Sequence, residues 1–366
     1  MGRLSWWTWR LNINMSDFKV NSIANKNGDF GPVIAGVSTF SSTGCMTIPR
    51  GSTERRGPRG RGIFGGGTVD PSNQVVIDFI NIQSLGNAID FGDLPFAKDR
   101  PNGLGNATRG LFVAGRGPAS PYYINNIEYI TISSQGNAED FGDISYLAWE
   151  TRGGNNDTRG IVGGGYLPNV NKNNIDFIQL ASFGNGTDFG DLTYYVQGHA
   201  STASPTRVVW FGGLGNPNGT TQSDASTKNN TITFVEIATT GNAENFGTLP
   251  TKTNSAAASS NGVRGFVMGG QTPSPFSSSD IFVITFASKG DATDFGDNLA
   301  TSPGYLPHIG TVANKNTAIV AGGVTINVIQ SFNMSTSGQA ADFGDLTIAR
   351  YAPGGVSDSH GGITDL

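Results

Sequence analysis

Two apolar patterns alternate along the chain. One carries apolar residues on both faces: Ile77-Asp-Phe-Ile80, Ile127-Glu-Tyr-Ile130, Ile175-Asp-Phe-Ile178 and Ile281-Phe-Val-Ile284. The other is a shorter run ending in a glycine pair, as in Arg159-Gly-Ile-Val-Gly-Gly164. Short runs rich in β-branched and aromatic residues and bounded by Gly and Asn predict strands. Apolar residues on both faces predict a strand covered on both sides. The glycine pair recurs at 65–66, 163–164, 212–213, 269–270 and 322–323, with Ala114-Gly115 as a variant. Glycine inside a strand predicts another backbone close by.

A third pattern sets the period. An Asp-Phe-Gly unit, Asn-Phe-Gly in one copy, centres on Phe30, Phe91, Phe141, Phe189, Phe246, Phe295 and Phe343, at intervals of 61, 50, 48, 57, 49 and 48 residues. That spacing suits an array of small four-stranded sheets better than helical repeats of roughly 33 to 47 residues. In the unit 140–191, a first strand is predicted through Trp149, a polar turn at 152–157, a second strand at 159–165 and a third at 175–180. A turn at Gly184-Asn185 leads into a fourth strand ending at Asp191. Seven units predict an all-β, seven-bladed β-propeller. Half-repeats at the ends, 18–23 with 28–31 and 346–352 with 359–363, predict one blade built from N- and C-terminal strands, leaving no open edge. Deleting the last eight residues is then expected to open the ring. The domain reading is a non-repeat segment, 1–14, followed by the propeller, 15–366.

These features resemble the kelch-type β-propeller: a glycine pair ending an inner strand, a loop, an Ile-Asp-Phe-Ile strand, and an aromatic strand leading to the next unit. The resemblance covers residues 16–366. It departs where kelch repeats carry a tryptophan and this chain has Asp-Phe-Gly-Asp. Among such propellers the chain is similar to those of tailed-bacteriophage particles, marine ones especially, in its Asn/Gly/Ser/Thr-rich composition. That similarity implies a virion component, a tail or fibre protein, assembled on other virion proteins and attaching to a host surface glycan or protein.

Composition narrows the alternatives. Net charge is −5 and only 14% of residues are charged, so no global basic field favours nucleic acid or an anionic membrane. Glycine is 53 of 366 residues, about twice the usual share of roughly 7%, which predicts many positions closed to side chains. Cys45 is the only cysteine, excluding an intrachain disulfide and a multi-cysteine metal site. No apolar run approaches the ~18 residues of a membrane span, and the N-terminus lacks signal-peptide order. Segment 1–14, with Trp6, Trp7 and Trp9, has three open readings: a docking peptide, an upstream extension before a start at Met15, or a strand pairing onto the ring.

Two interruptions stand out. Residues 50–61 hold Arg50, Arg55, Arg56, Arg59 and Arg61, a solvated basic loop or a contact for an acidic partner. Residues 214–230 are polar and insert after the glycine pair 212–213. In kelch-like geometry this insertion shares a face with Trp149, Tyr166, Tyr194 and Tyr195. With Asn216 and Asn218 these are the candidate ligand-binding residues, because recognition sits on loops held by a rigid frame. The seven phenylalanines are assigned a structural role between blades, with the unit's aspartate capping the following turn.

No catalytic residue, cofactor or metal is assigned. A kinase reading of Asp-Phe-Gly fails for want of the accompanying motifs, and no calcium loop or nucleophile elbow is present. His199, His308 and His360 fall in different repeats. The expected function is a non-enzymatic binding or structural module. It is expected to sit in the virion and to make no nucleic-acid contact or membrane insertion, with homo-oligomerisation left open. The alternatives are a carbohydrate-active or copper-oxidase-like propeller enzyme and a cellular protein-interaction propeller.

Overall fold

The computed structural model describes residues 60–118, 122–218, 227–273, 278–297, 310–323 and 326–364. They form a β-propeller of six blades, with no helix among the described residues. Blade II shows the plan: Asn102–Gly105 innermost, then Arg109–Arg116, Tyr123–Thr131 and Glu139–Asp143, each antiparallel to the last. The other innermost strands are Arg152–Asn155, Ala200–Ala203, Ala257–Ser260 and Gly310–Ala313 in blades III to VI, and Gly354–Ser357 in blade I.

The expected seven blades are therefore corrected to six. Six Asp-Phe-Gly or Asn-Phe-Gly units, those of Phe91 to Phe343, supply the six outer strands. The seventh, at Phe30, lies outside the described residues, as do segment 1–14 and the basic cluster through Arg59. Closure also differs. Gly354–Ser357 pairs directly with Arg61–Gly65, so blade I takes its innermost strand from the C-terminal end and its other strands, Arg61–Gly65, Thr68–Val69, Ser72–Asn81 and Ile89–Lys98, from the stretch 61–98. Among the described residues these strands close the ring.

The first strand of unit 140–191 also differs from expectation. It is Arg152–Asn155, within the stretch expected as a polar turn, while the third and fourth strands, Val170–Gln179 and Thr187–Val196, overlap the expected stretches, the third starting earlier and the fourth running past Asp191. The reason is crowding at the axis. A Cβ on Gly103 would lie 1.9 Å from the carbonyl oxygen of Gly355 in the neighbouring blade, so Gly, Ala, Ser and Thr line these strands. Their hydroxyls bond the next strand's carbonyls: Ser201 Oγ to Gly153 O at 2.8 Å and Thr311 Oγ1 to Ala258 O at 2.8 Å. Asn155 bonds both backbone groups of Gly105, accepting from its N–H and donating to its carbonyl. Residues that usually mark turns here build the inner wall.

Apolar burial lies between blades. Each of six hydrophobic clusters joins two neighbours and contains one repeat phenylalanine; Phe141, for example, packs with Leu111 and Val113 of blade II and Val162 and Ile178 of blade III. Two polar devices reinforce every such boundary in blades I to III. The Gly-Asn turn of the next blade docks on the outer strand: Gly136 N–H donates to Phe91 O and Ala138 N–H to Asp93 O, while Asn137 Oδ1 accepts Asp93 N–H. The glycine of Asp-Phe-Gly admits this turn, since a Cβ on Gly92 would lie 2.4 Å from Gly136 O. The turn-capping role expected of the repeat aspartate thus belongs to an asparagine of the neighbouring blade; Asp90 and Asp140 are exposed. The second device is the arginine opening the second strand. Arg109 donates to Leu180 O at 2.7 Å and lies over Phe183, and Arg61 and Arg159 repeat the bond to Ile132 and Ile237.

After Gly354–Ser357 the chain crosses the axis. Asp358 Oδ1 accepts the N–H groups of Gly60 and Arg61 in blade I, and His360 Nε2 bonds Gly105 O in blade II. Gly361 N–H donates to Ser260 O in blade V, Ile363 is buried, and Thr364 N–H donates to Asp157 in blade III. The stretch 359–363, expected as a strand, is a strap over one mouth of the central channel. The last eight residues therefore hold part of the strap and not the closing strand.

Candidate functional site

Strand alternation sorts the connections onto two faces. Hairpin turns from first to second and third to fourth strands, together with the strap, lie on one; loops from second to third strands and the blade-to-blade connections lie on the other, the loop face. There five connections among the described residues form a short antiparallel bridge to a loop: Tyr351 with Thr68, Asp99 with Arg116, Trp149 with Tyr166, Gln197 with Leu214, and Asn254 with Gln271. The backbone repeats while the side chains differ. Such a frame holds variable residues at fixed positions.

Charge and aromatic surface gather at two adjacent bridges. Trp149 and Tyr166 exchange backbone hydrogen bonds of 3.2 and 2.9 Å, and their ring centroids are 5.9 Å apart. Tyr123 meets both rings edge-on at 6.2 and 6.5 Å. The Arg100 and Arg116 guanidinium carbons lie 4.4 and 5.0 Å from the centre of the Trp149 ring, a distance at which the ring quadrupole attracts cations. Burial raises the Tyr123 hydroxyl above its ordinary pKa, with Tyr166 adding to the effect. Tyr122 is exposed.

Local backbone geometry places the charges. Two residues before each described innermost strand of blades I to V the chain turns left-handed, at Ala352, Arg100, Glu150, Gly198 and Ser255. For non-glycine residues this conformation is uncommon and costs roughly 1 kcal/mol or more. Blades II and III place opposite charges there, and Arg100 Nε approaches Glu150 Oε1 to 3.2 Å. Asp99, wholly buried, accepts from Thr68 Oγ1 and lies 3.3 Å from Arg116 Nε. Arg152 donates to the carbonyls of Arg100 and Thr151, and burial lowers its pKa while Glu150 opposes that shift.

The candidate residues from sequence separate. Trp149 and Tyr166 come together as described. Tyr194 is only 5% exposed and its hydroxyl bonds Gly212 O and Asn229 Oδ1, so it belongs to the blade III–IV core. Tyr195 is half-buried, with its carbonyl close against Gly215. Asn216 Oδ1 accepts the N–H of Asn218, a local turn leaving Asn218 exposed. Of the insertion 214–230, Leu214 bridges Gln197 and Lys228, and Asn229 and Asn230 lie in the third strand of blade IV. Residues 219–226 lie outside the described residues.

Sequence reasoning missed Tyr122, Tyr123, Arg100 and Arg116. The available signal was the pair Tyr122-Tyr123 just after the variant glycine pair of blade II, at the loop position already assigned to recognition.

The axis holds a cavity of about 110 Å³ walled by the innermost strands, and its charged or titratable lining residues are Arg152 and His360. Among the described residues no three His, Cys, Asp or Glu side chains converge as a metal site. No protein-family model matches the chain, and no curated protein matches it at a significant level.

Proposed function

We propose that this protein is a non-enzymatic attachment module, a rigid disc that offers its loop face to a glycan or protein on a cell surface. The observation that carries the reading is the joining of Trp149, Tyr166 and Tyr123 with Arg100 and Arg116 on a backbone frame that recurs at five connections among the described residues. Aromatic rings with polar neighbours suit sugars, whose ring faces pack on aromatics and whose hydroxyls need hydrogen bonds. The axial wall supports the same reading, because glycoside hydrolysis uses paired carboxylates and the lining residues of this cavity include none. The proposed setting is the particle of a tailed phage, with a kelch-like disc mounted on other virion proteins. Its support is the Asn/Gly/Ser/Thr-rich repeat composition.

The test is binding of the purified protein to candidate host cells. Tyr166→Ala and Trp149→Ala should weaken it at least tenfold, while Leu85→Ser, an exposed site on the opposite face, leaves it unchanged. Equal binding by all variants with intact folds would move recognition off this cluster.

A further inference from the structure

We infer that the ligand of this cluster is an anionic saccharide whose carboxylate, or a chemically similar monoanionic ester, is held by Arg116. The inference rests on the loop-face reading above and adds the charge of the ligand. Among the described residues five charged groups make up the cluster: Arg100, Arg116 and Arg152 against Asp99 and Glu150, so that 3 − 2 leaves one net positive charge on a protein whose total is −5.

That charge is directed outward. The Asp99 side chain is 0% exposed and that of Glu150 8%, whereas Arg116 is 34% exposed. The cations are also incompletely satisfied. Arg100 Nε and Nη1 are buried and make no aligned hydrogen bond, meeting Glu150 and Asp99 only as ion pairs at 3.2 and 3.6 Å. Arg116 Nε lies 3.3 Å from Asp99 Oδ1 without an aligned hydrogen bond, and its side chain reaches solvent. A planar guanidinium with an open edge binds a carboxylate through two parallel N–H···O bonds, geometry that an ammonium lacks.

The neighbouring rings supply the saccharide half of the match. The Arg116 guanidinium lies over the Trp149 ring, and Trp149 and its neighbour Tyr123 are only half-buried, so accessible ring surface lies beside the cation. A free inorganic anion would gain nothing from those rings. A neutral sugar would leave the guanidinium edge without a partner.

The experiment titrates the full chain with oligogalacturonate, a sulfated galactan oligomer and a neutral galactan oligomer of equal length, for wild type, Arg116→Gln and Arg116→Lys. Tighter binding of either acidic oligomer than of the neutral one, weakened at least tenfold by Arg116→Gln and by rising salt, is the expected result. Oligogalacturonate and the sulfated oligomer separate carboxylate from ester as the source of charge, and Arg116→Lys should restore only part of the affinity. Equal binding of acidic and neutral oligomers, or an unaltered Arg116→Gln, would overturn the inference while leaving loop-face recognition standing. Failure of all three oligomers, with cell binding that still depends on Trp149 and Tyr166, would likewise overturn it and point to a protein receptor. Failure of cell binding to depend on those residues would remove the attachment reading itself. A melt of each variant confirms that the ring is folded.

Discussion

The side-chain oxygen of Asn137 accepts the backbone N–H of Asp93 at 3.0 Å, across the boundary between blades I and II. Asn185 does the same for Asp143, Asn242 for Asp191 and Asn87 for Asp345. The outer strand of one blade would otherwise present an unpaired edge, and the next blade's turn satisfies part of it. Two separate sequence signatures, Asp-Phe-Gly and Gly-Asn, are thus the two halves of one latch.

The latch can be tested with a matched pair of glycines. Gly142 and Gly184 have φ of +147° and +145°, but a Cβ on Gly142 would sit 2.6 Å from Gly184 O, whereas Gly184 has open space around its own. Backbone strain is common to both, so Gly142→Ala should cost about 1–3 kcal/mol more than Gly184→Ala. Denaturant unfolding of the two variants measures the difference; equal losses would mean that the turn docks without close contact.

Lys98 and Glu128 form an ion pair with both side chains essentially buried, and Lys98 also donates to Ala114 O. Removing one partner strands a buried charge, so Lys98→Met should cost about 3–5 kcal/mol, while Lys98→Met with Glu128→Met should recover most of it. A double-mutant cycle of unfolding free energies reads this, and additive losses would show that the two charges are solvated independently.

His199 links stability to pH. It is buried, its Nε2–H donates to Gly163 O at 3.1 Å, and burial, with Arg152 nearby, lowers its pKa from 6.5 to about 3. The unfolded chain therefore binds the proton first. The stabilisation is complete above about pH 6.5 and declines as pH falls toward about 3, by roughly 1.4 kcal/mol per pH unit for one proton. His360 is shifted in the same direction by burial. His199→Gln, which keeps a donor for Gly163, should flatten the acid side of the stability profile by about one proton. Parallel profiles for variant and wild type would mean that His199 titrates normally.

Truncation separates closure from the strap. Ending the chain at Ser357 keeps the strand that pairs with Arg61–Gly65 and removes buried Ile363 and the bonds to Gly60, Gly105 and Ser260. The expected loss is about 3 kcal/mol with cooperative unfolding retained. Ending it at Pro353 removes the closing strand and should abolish the cooperative transition in a thermal melt. A ring that melts alike in both forms would contradict closure by Gly354–Ser357.

Much of this molecule is written in local sequence. Apolar runs such as Ile175-Asp-Phe-Ile178, bounded by Gly and Asn, determine the third strands, and the spacing of Phe91, Phe141 and Phe189 determines blade length, because strand pairing and burial are encoded within one repeat. The number of blades was decided only by tertiary structure: seven phenylalanines can be counted, but ring closure depends on where Gly354–Ser357 finds its partner, nearly 300 residues away in sequence. The innermost strands were equally hidden. Arg152-Gly-Gly-Asn155 reads as a turn in isolation and is a strand because six such segments crowd one axis and hydrogen-bond to one another. For the candidate site, sequence placed Trp149 and Tyr166 on the loop face, whereas only packing drew Tyr123, Arg100 and Arg116 to them and withdrew Tyr194 into the core.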